Sequence, residues 1–311
     1  MRICSLFPSA TEIVGALGLV DSLVGVSYEC DFPRGVRGKP VVVNTRLPAT
    51  DDPAEIDEHV REFLARGESL YRIESDILRK DEPDLILTQE LCNVCAATPG
   101  DLGSALRDLA VQSQVAKVLS LHPHRIEDVL DDNLAVGEVT ELLGEAHRLI
   151  AGLRDRMAVV AKHVDGVASR PRVLCLEWID PPMVGVHWVP EMVELAGGVD
   201  VFGKAEKPSF RVEWNDVFEA RADVVVVMPC GYGLEKTIGE YRNTSFPDGW
   251  HDVAAVRQGW VYAVDANSYF SRPGPRLVTG VELLVQMFHP EVSELPTFSS
   301  ASLVGAKLEG S

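Results

Sequence analysis

Residues that could bind a ligand recur just after apolar runs of strand-like length. Carboxyl ends of parallel strands lie along one edge of a sheet, and open α/β sheets bind ligands there. Flat aromatic side chains with a few polar groups suit a large planar or macrocyclic ligand. The ligand-binding candidates are Phe7, Pro8, Ser9, Tyr28, Glu29, Glu90, Glu177, Trp178, His187, Trp188, Tyr232, Tyr269, Phe270 and Arg272.

Sulfur ligands follow predicted strands as well, and they would suit a soft metal. One C-x-x-C pair could be a redox pair or half of a metal site, but a single pair is a weak signal, and small buried thiols are the plainer alternative. Cys4 and Cys175 fall within predicted strands and are expected in the core. The candidate metal ligands are Cys30, Cys92, Cys95 and Cys230.

Histidine and the familiar catalytic motifs add little to this picture. His187 could ligate a metal or lie beside a ligand, whereas His122, His124 and His289 adjoin prolines or loops and are expected at the surface. The sequence has no G-x-S-x-G elbow, no phosphate-binding loop and no H-E-x-x-H. We therefore expect binding rather than catalysis, with no required cofactor.

Alternating strand and helix patterns predict an α/β fold with mostly parallel sheets. Ser9 and Glu12 form a capping-box pattern that predicts a helix over residues 10–17. Helical spacing over residues 49–81 predicts two helices separated near Gly67, and residues 126–164 read as helical throughout.

The strand–helix order of residues 2–18 starts again at residues 172–198, which predicts two lobes. A helix over residues 144–164 would be about 30 Å long and could join them. We predict a first lobe at 1–137, a linking helix at 138–166 and a second lobe at 167–311, with a ligand cleft between the lobes.

Charge and the N-terminus narrow the partners and the compartment. A net charge of −18 over 311 residues argues against nucleic acid, because no excess of cationic side chains neutralises phosphate. No apolar run approaches the ~20 residues that a membrane span needs. No signal-peptide pattern follows Met1, so a cytoplasmic location is expected, or an extracytoplasmic one if the sequence is a mature form.

Five segments resemble the cobalamin-binding, cluster A (helical-backbone) substrate-binding proteins of ABC importers, in a subgroup without a signal sequence. They are RICSLFPSATEIVGALGLVDSLVGVSYECDFP, PDLILTQELCNVC, CLEWIDPPMVGVHWVPEMVELAGG, VVVVMPCGYGLEKT and YFSRPGPRLVTGVELL. The resemblance implies two Rossmann-like lobes joined by a rigid helix, with ligand between them. It also implies binding residues at Phe7–Ser9 and aromatic contacts from Tyr28, Trp178, Trp188 and Tyr269.

The implied function is reversible capture of a cobalamin-like corrinoid or another metal chelate. The alternative is an enzyme or metal-handling protein that uses the cysteines and His187. An ABC permease partner is left open, because the region matching the first-lobe docking glutamate, residues 97–104, has none.

Overall fold

The computed structural model describes residues 1–50, 52–89, 116–167, 169–203, 209–291 and 299–305. The chain divides into two compact units, here called the first and second lobes. The first lobe comprises Met1–Pro123 and Glu127–Ile150, and the second comprises His124–Ile126 and Ala151–Ser311.

A six-stranded sheet forms the centre of the first lobe, in the order β4-β3-β2-β1-β5-β6. All neighbouring strands are parallel except β4, which runs antiparallel to β3. The central strands are almost wholly buried, as expected for a parallel sheet covered on both faces. The strands are β1 (Ile3–Ser5), β2 (Leu23–Ser27), β3 (Val41–Thr45), β4 (Tyr71–Ile73), β5 (Leu85–Gln89) and β6 (Lys117–Leu121).

The first helix begins earlier than predicted, and its predicted capping box is wrong. Helix α1 spans Pro8–Ala16, with Phe7 at the N-cap and no side-chain cap hydrogen bond. Proline is favoured at the first helical position because its φ is already helical and it has no N–H to satisfy. Ser9 and Glu12 therefore lie inside the helix, where both are buried.

The stretch before β5 holds a strand that the helical pattern did not predict. Helices α2 (Pro53–Ala65) and α3 (Ser75–Asp81) flank β4, whose Ile73 and Tyr71 pair with Val43 and Thr45. Leu70, Tyr71 and Ile73 satisfy a helical spacing and a strand alternation equally well over so short a run. Pairing with the edge of β3 decides between the two.

The second lobe repeats the plan with antiparallel additions at its edges. Parallel strands β7, β11 and β12 form its centre, and the sheet order is β10-β8-β7-β11-β12-β13, with β9 also pairing with β7. Strands β8, β10 and β13 run antiparallel to their neighbours. The strands are β7 (Arg172–Trp178), β8 (Met183–Val184), β9 (Val199–Asp200), β10 (Phe210–Arg211), β11 (Val224–Val227), β12 (Val261–Val264) and β13 (Ala301–Leu303).

Helices cover the second sheet, and the long predicted helix is present. The pattern over residues 126–164 resolves into α4 and α5 with a short break at residues 140–142. The boundary between the lobes falls within α5, after Ile150. The remaining described helices are α4 (Ile126–Val139), α5 (Leu143–Val164), α6 (Val189–Leu195), α7 (Trp214–Glu219), α8 (Leu234–Asn243), α9 (Ala254–Gln258), α10 (Ala266–Tyr269) and α11 (Leu277–Phe288).

The α/β fold class with two lobes and mostly parallel sheets is confirmed. The predicted limits of the linking helix and the ligand cleft between the lobes stay predictions. In the part of the chain that the structure describes, no helix is both long and apolar enough to cross a membrane.

A buried ion pair fastens the second part of α5 to α11 within the second lobe. Arg156 donates from Nε to Oε1 of Glu282 at 2.9 Å and from Nη2 to Oε2 at 2.6 Å, and also donates to the Thr279 hydroxyl at 2.8 Å. The Glu282 side chain is only 6% exposed, against 40% for Arg156. Removing the guanidinium would leave a buried carboxylate without its main charge partner.

We expect Arg156→Met to lower the free energy of unfolding by about 1–3 kcal/mol, measured from urea unfolding midpoints. Arg148→Met on the same helix is the matched control, because its pair with Glu145 is exposed at 76% and 42%. That control should change stability by less than about 0.5 kcal/mol. Equal losses in the two variants would contradict the assignment.

A half-buried carboxylate in the first lobe, that of Asp132, has no cationic partner of this kind among the described residues, although the backbone N–H of His122 donates to it. Burial, followed by repulsion from Asp128 and Asp131, raises the pKa of Asp132 from 3.8 to about 7. Its Oδ2 has no hydrogen-bond partner within the ranges described above. Since the folded state holds this proton more tightly than the unfolded state, stability falls as pH rises from about 4 to about 7.

Asp132→Asn should match the wild type below about pH 4 and be more stable above about pH 7, by up to about 4 kcal/mol. Unfolding midpoints measured across this pH range test the expectation. Glu138→Gln, an exposed acid-to-amide change on the same helix, is the control and should give a nearly constant small difference. A flat difference for Asp132→Asn as well would refute it.

Candidate functional site

The carboxyl ends of β7, β11 and β12 lie side by side in the second lobe. Register sets Leu176 beside Val227, and Val227 beside Ala263, so the residues that follow these strands share one edge of the sheet. Two backbone hydrogen bonds connect them: Cys230 N donates to Glu177 O at 3.3 Å, and Asn267 N donates to Tyr232 O at 3.0 Å. The predicted second-lobe site residues therefore gather at this edge.

Glu177 and Trp178 are the last residues of β7 rather than the start of a loop. The strand is longer than predicted because β8 pairs with its final residues, Trp178 lying opposite Met183. Ser209 Oγ donates to Glu177 Oε2 at 2.6 Å, which orients the carboxylate. Strand geometry thus fixes two side chains that the sequence pattern had placed just after the strand.

Trp178 forms an edge-to-face pair with Tyr232. The ring centroids are 5.5 Å apart with an interplanar angle of 67°, and Nζ of Lys236 lies 4.2 Å from the centre of the Tyr232 ring. Pairs of this geometry contribute about 0.5–1.5 kcal/mol beyond their buried area. The pair joins the ends of β7 and β11, with Trp178 half-buried and Tyr232 buried.

Trp188 and Phe270 join the turn before α6 to the segment after β12. Nε1 of the buried Trp188 donates to the backbone oxygen of Phe270 at 2.7 Å. Arg272, also buried, donates from Nη2 to Asn267 Oδ1 at 2.9 Å, and the Arg276 guanidinium lies 5.6 Å from the Tyr269 ring centre. These contacts fix the segment that contains Tyr269, Phe270 and Arg272, whose ligand role stays a prediction.

Gly280 lets α11 pack closely against this segment. A Cβ at this position would clash with the backbone oxygen of Tyr269 and lie 2.6 Å from Cε of Met192. A backbone oxygen cannot rotate away as a side chain can. Glycine at position 280 is therefore needed for α10 and the residues after it to keep their place against α11.

The His187 ring contacts two other rings, and its backbone conformation is unusual. Its ring centroid is 5.5 Å from that of Trp188 and 6.2 Å from that of His124, at interplanar angles of 29° and 28°. Its φ of 56° is in the left-handed region, which costs a side-chain-bearing residue about 1–2 kcal/mol. Such strain is typical of functional sites. We call His124, His187 and Trp188 the ring row.

The environment of His187 favours the neutral form of its imidazole. Burial, followed by the neighbouring His124, lowers the pKa of His187 below its ordinary value. Its buried Nδ1 finds no hydrogen-bond partner in the described part of the chain, and the same holds for Nε1 of Trp178. A neutral imidazole can accept a hydrogen bond or donate a lone pair to a metal.

The first-lobe candidates lie after β1 and β2. Tyr28 is 43% exposed, and its hydroxyl donates to Glu29 Oε1 at 3.3 Å; partial burial and this carboxylate raise the pKa of Tyr28 above its ordinary value. Phe7 and Ser9 are each 2% exposed, and Phe7 packs in the first-lobe core. A ligand role for Phe7, Pro8 and Ser9 stays a prediction.

The cysteine predictions are tested only in part. The Cys30 thiol lies 3.1 Å from the Thr11 hydroxyl, and Cys230 is exposed in the second lobe. Among residues whose placement is described, no group of three or more His, Cys, Asp or Glu side chains could hold a metal. Glu90, Cys92 and Cys95 lie outside the described residues, so their predicted roles stay predictions.

Two histidine predictions need correction. His289 is only 3% exposed, in contact with Gly197, rather than at the surface. His124 is half-buried in the ring row, whereas His122 is exposed as predicted. No local sequence pattern could predict the contact between His124 and His187, because the two residues are far apart in the chain.

Residues 3–268 match the model of the periplasmic binding protein family, and the chain belongs to this family. A vitamin B12-binding protein of Vibrio cholerae is 25% identical over 286 residues, covering 90% of this chain and 86% of the relative. An uncharacterized ABC transporter substrate-binding lipoprotein of Bacillus subtilis, YvrC, is 24% identical, covering 93% of this chain and 80% of the relative.

Solved structures agree on the fold. A periplasmic heme-binding protein of Pseudomonas aeruginosa superimposes with a TM-score of 0.71 at 17% identity, covering 96% of this chain and 95% of that chain. The periplasmic vitamin B12-binding protein BtuF of Vibrio cholerae gives a TM-score of 0.67 at 21% identity, covering 94% and 98%. The resemblance to the substrate-binding proteins named from the sequence is confirmed at the level of the family.

Because of the strain at His187, glycine and alanine substitutions there should reverse the order of stability that they have within a helix. His187→Gly should be more stable than His187→Ala by about 1 kcal/mol, because glycine adopts a left-handed φ without a steric cost. Both variants lose the imidazole, so the difference between their unfolding midpoints reports the backbone alone. At the exposed Glu194 of α6, a helical position, alanine should be the more stable of the two. The same order at both positions would disprove the interpretation.

Proposed function

We propose that this protein reversibly binds a corrinoid or a closely related metal chelate and does not transform it. Membership of the periplasmic binding protein family supports a binding role. Relatives named as vitamin B12-binding proteins align along 90% or more of the chain, which supports a corrinoid as the ligand.

The observation that carries the proposal is the set of rings at the carboxyl edge of the second sheet. Trp178 and His187 are half-buried at this edge, and each lies against a buried ring, that of Tyr232 and that of Trp188 respectively. A corrin or porphyrin ring is broad and flat, so it gains most from stacking and from burial of apolar area at ~25 cal/mol per Å². Isolated polar ligands would not need this surface.

Polar groups beside the rings suit the periphery of such a macrocycle. Corrinoids carry amide side chains and porphyrins carry carboxylates, which are recognised by hydrogen-bonding and cationic groups. In the second lobe, Glu177 lies near the end of β7, and Arg272 follows α10, the helix after β12. We assign them to periphery contacts.

Delivery to an ABC permease is part of the proposal only through the relatives, one of which is named as an ABC transporter lipoprotein. In this chain, Glu213 of the second lobe forms a capping box with Asp216 at the start of α7. The cytoplasmic location expected from the sequence stays a prediction.

Titration with cyanocobalamin, haemin and a ferric hydroxamate tests the proposal. We expect a shift of the visible absorption bands and a dissociation constant in the micromolar range or below for one of them. Trp178→Leu should weaken that binding about tenfold, as loss of aromatic stacking and area predicts.

Trp260→Leu is the matched control. Trp260 is also half-buried in the second lobe, but it precedes β12 and lies at the amino edge of the sheet. Its substitution should leave the dissociation constant unchanged. Absence of binding to all three compounds by calorimetry and absorbance at micromolar protein would overturn the proposal.

A further inference from the structure

His124 of the ring row belongs to a short segment, residues 124–126, that differs from its neighbours in the chain. His124–Ile126 belong with the second lobe, although the chain before and after them belongs to the first. Nothing in this segment is strongly apolar apart from Ile126, which is buried. Specific polar contacts must therefore hold its other residues in place.

Glu191 supplies two of these contacts. Its Oε1 accepts a hydrogen bond from Arg125 Nε at 2.9 Å, and its Oε2 accepts one from the backbone N–H of Ile126 at 2.7 Å. Ile126 is the first residue of α4, so this N–H has no acceptor within its own helix, and a carboxylate is favoured at such a position. The Glu191 side chain is 22% exposed, which limits competition from water.

These contacts determine where His124 lies. His124 directly precedes Arg125, and its ring stacks with that of His187, which also stacks with Trp188. Trp188 is fixed independently by its hydrogen bond to Phe270. The row thus has one end anchored through Trp188 and the other through Glu191.

His187 depends on both neighbours. No hydrogen bond to its ring is found within the described ranges, so contact with the rings of His124 and Trp188 sets its orientation. If His124 moved away, one of these contacts would be lost and the ring would gain rotational freedom. The side chain that prevents this is Glu191, three residues after Trp188.

We propose that Glu191 is a positioning residue for ligand binding, which it supports by holding His124 against His187. The inference rests on the proposed function, since it assumes that the ring row contacts the ligand. Glu191 itself touches no ligand. Its effect on affinity passes entirely through His124.

A double-mutant cycle tests this dependence. Glu191→Ala and His124→Ala should each weaken binding of the compound bound by the wild type, by about two- to tenfold, the range expected for one lost ring contact. The double variant should bind no more weakly than His124→Ala alone. Glu191→Ala weakens binding only through the His124 ring contact, and His124→Ala already removes that contact. Glu191→Gln, whose amide oxygen still accepts from Ile126, should recover part of the affinity.

Glu194→Ala is the control on the same helix, with an exposed side chain, and should bind as the wild type does. A ligand-free readout accompanies the titrations: Glu191→Ala should shift the imidazole Cε1–H resonances of both His124 and His187, and Glu194→Ala should shift neither. A structural role alone would lower the unfolding midpoint without changing the dissociation constant.

The outcomes separate the two proposals. Wild-type binding that Glu191→Ala leaves unchanged, or additive losses in the double variant, would overturn the positioning role and leave the proposed function intact. A wild type that binds none of the three compounds would overturn the proposed function instead. Unchanged imidazole resonances in Glu191→Ala would reject the positioning role whatever the binding result.

Discussion

The backbone register of β7, β11 and β12 is the constraint on which the second-lobe site depends. Parallel pairing aligns Leu176, Val227 and Ala263 across the three strands, so whatever follows each strand emerges at the same edge. Valines and leucines buried on both faces fix this register, because any slip would expose them or move them out of the core. The site is thus a by-product of how the core packs.

Polar and aromatic contacts then fix the positions of the residues that follow these strands. Hydrogen bonds between consecutive loops, the edge-to-face pair of Trp178 and Tyr232, and the bond from Trp188 to Phe270 connect all three strand ends. The strained φ of His187 persists because its neighbours on both sides are held in place. The strain therefore costs stability at a residue that we propose contacts the ligand.

The sequence predicted the parts of the fold that long apolar runs determine. Buried strands such as β5 and β11 and the periodic helices α5 and α11 appear where expected, because few alternatives bury so many apolar side chains. Short elements were harder. Tyr71–Ile73 forms a strand because it pairs with the edge of β3. The predicted capping box at Ser9 is absent because the helix begins at Pro8.

Site residues followed the same division. Those adjacent to a central strand, such as Trp178 and Tyr232, were predictable from their position after an apolar run. His124 and Glu191 were not predictable, since their proposed roles arise from contacts between distant segments. Glu191 Oε2 accepts a hydrogen bond from Ile126 N at 2.7 Å, and no local sequence pattern predicts this contact. Tertiary contacts of this kind need coordinates.

Gly280 shows how far the influence of packing extends. It lies on a helix behind the rings, yet any side chain there would collide with the backbone of Tyr269. In a random mutagenesis screen for lost ligand binding, position 280 should score alongside the aromatic positions. Genetic maps of such a protein would therefore outline the binding surface together with the second layer of helix that supports it.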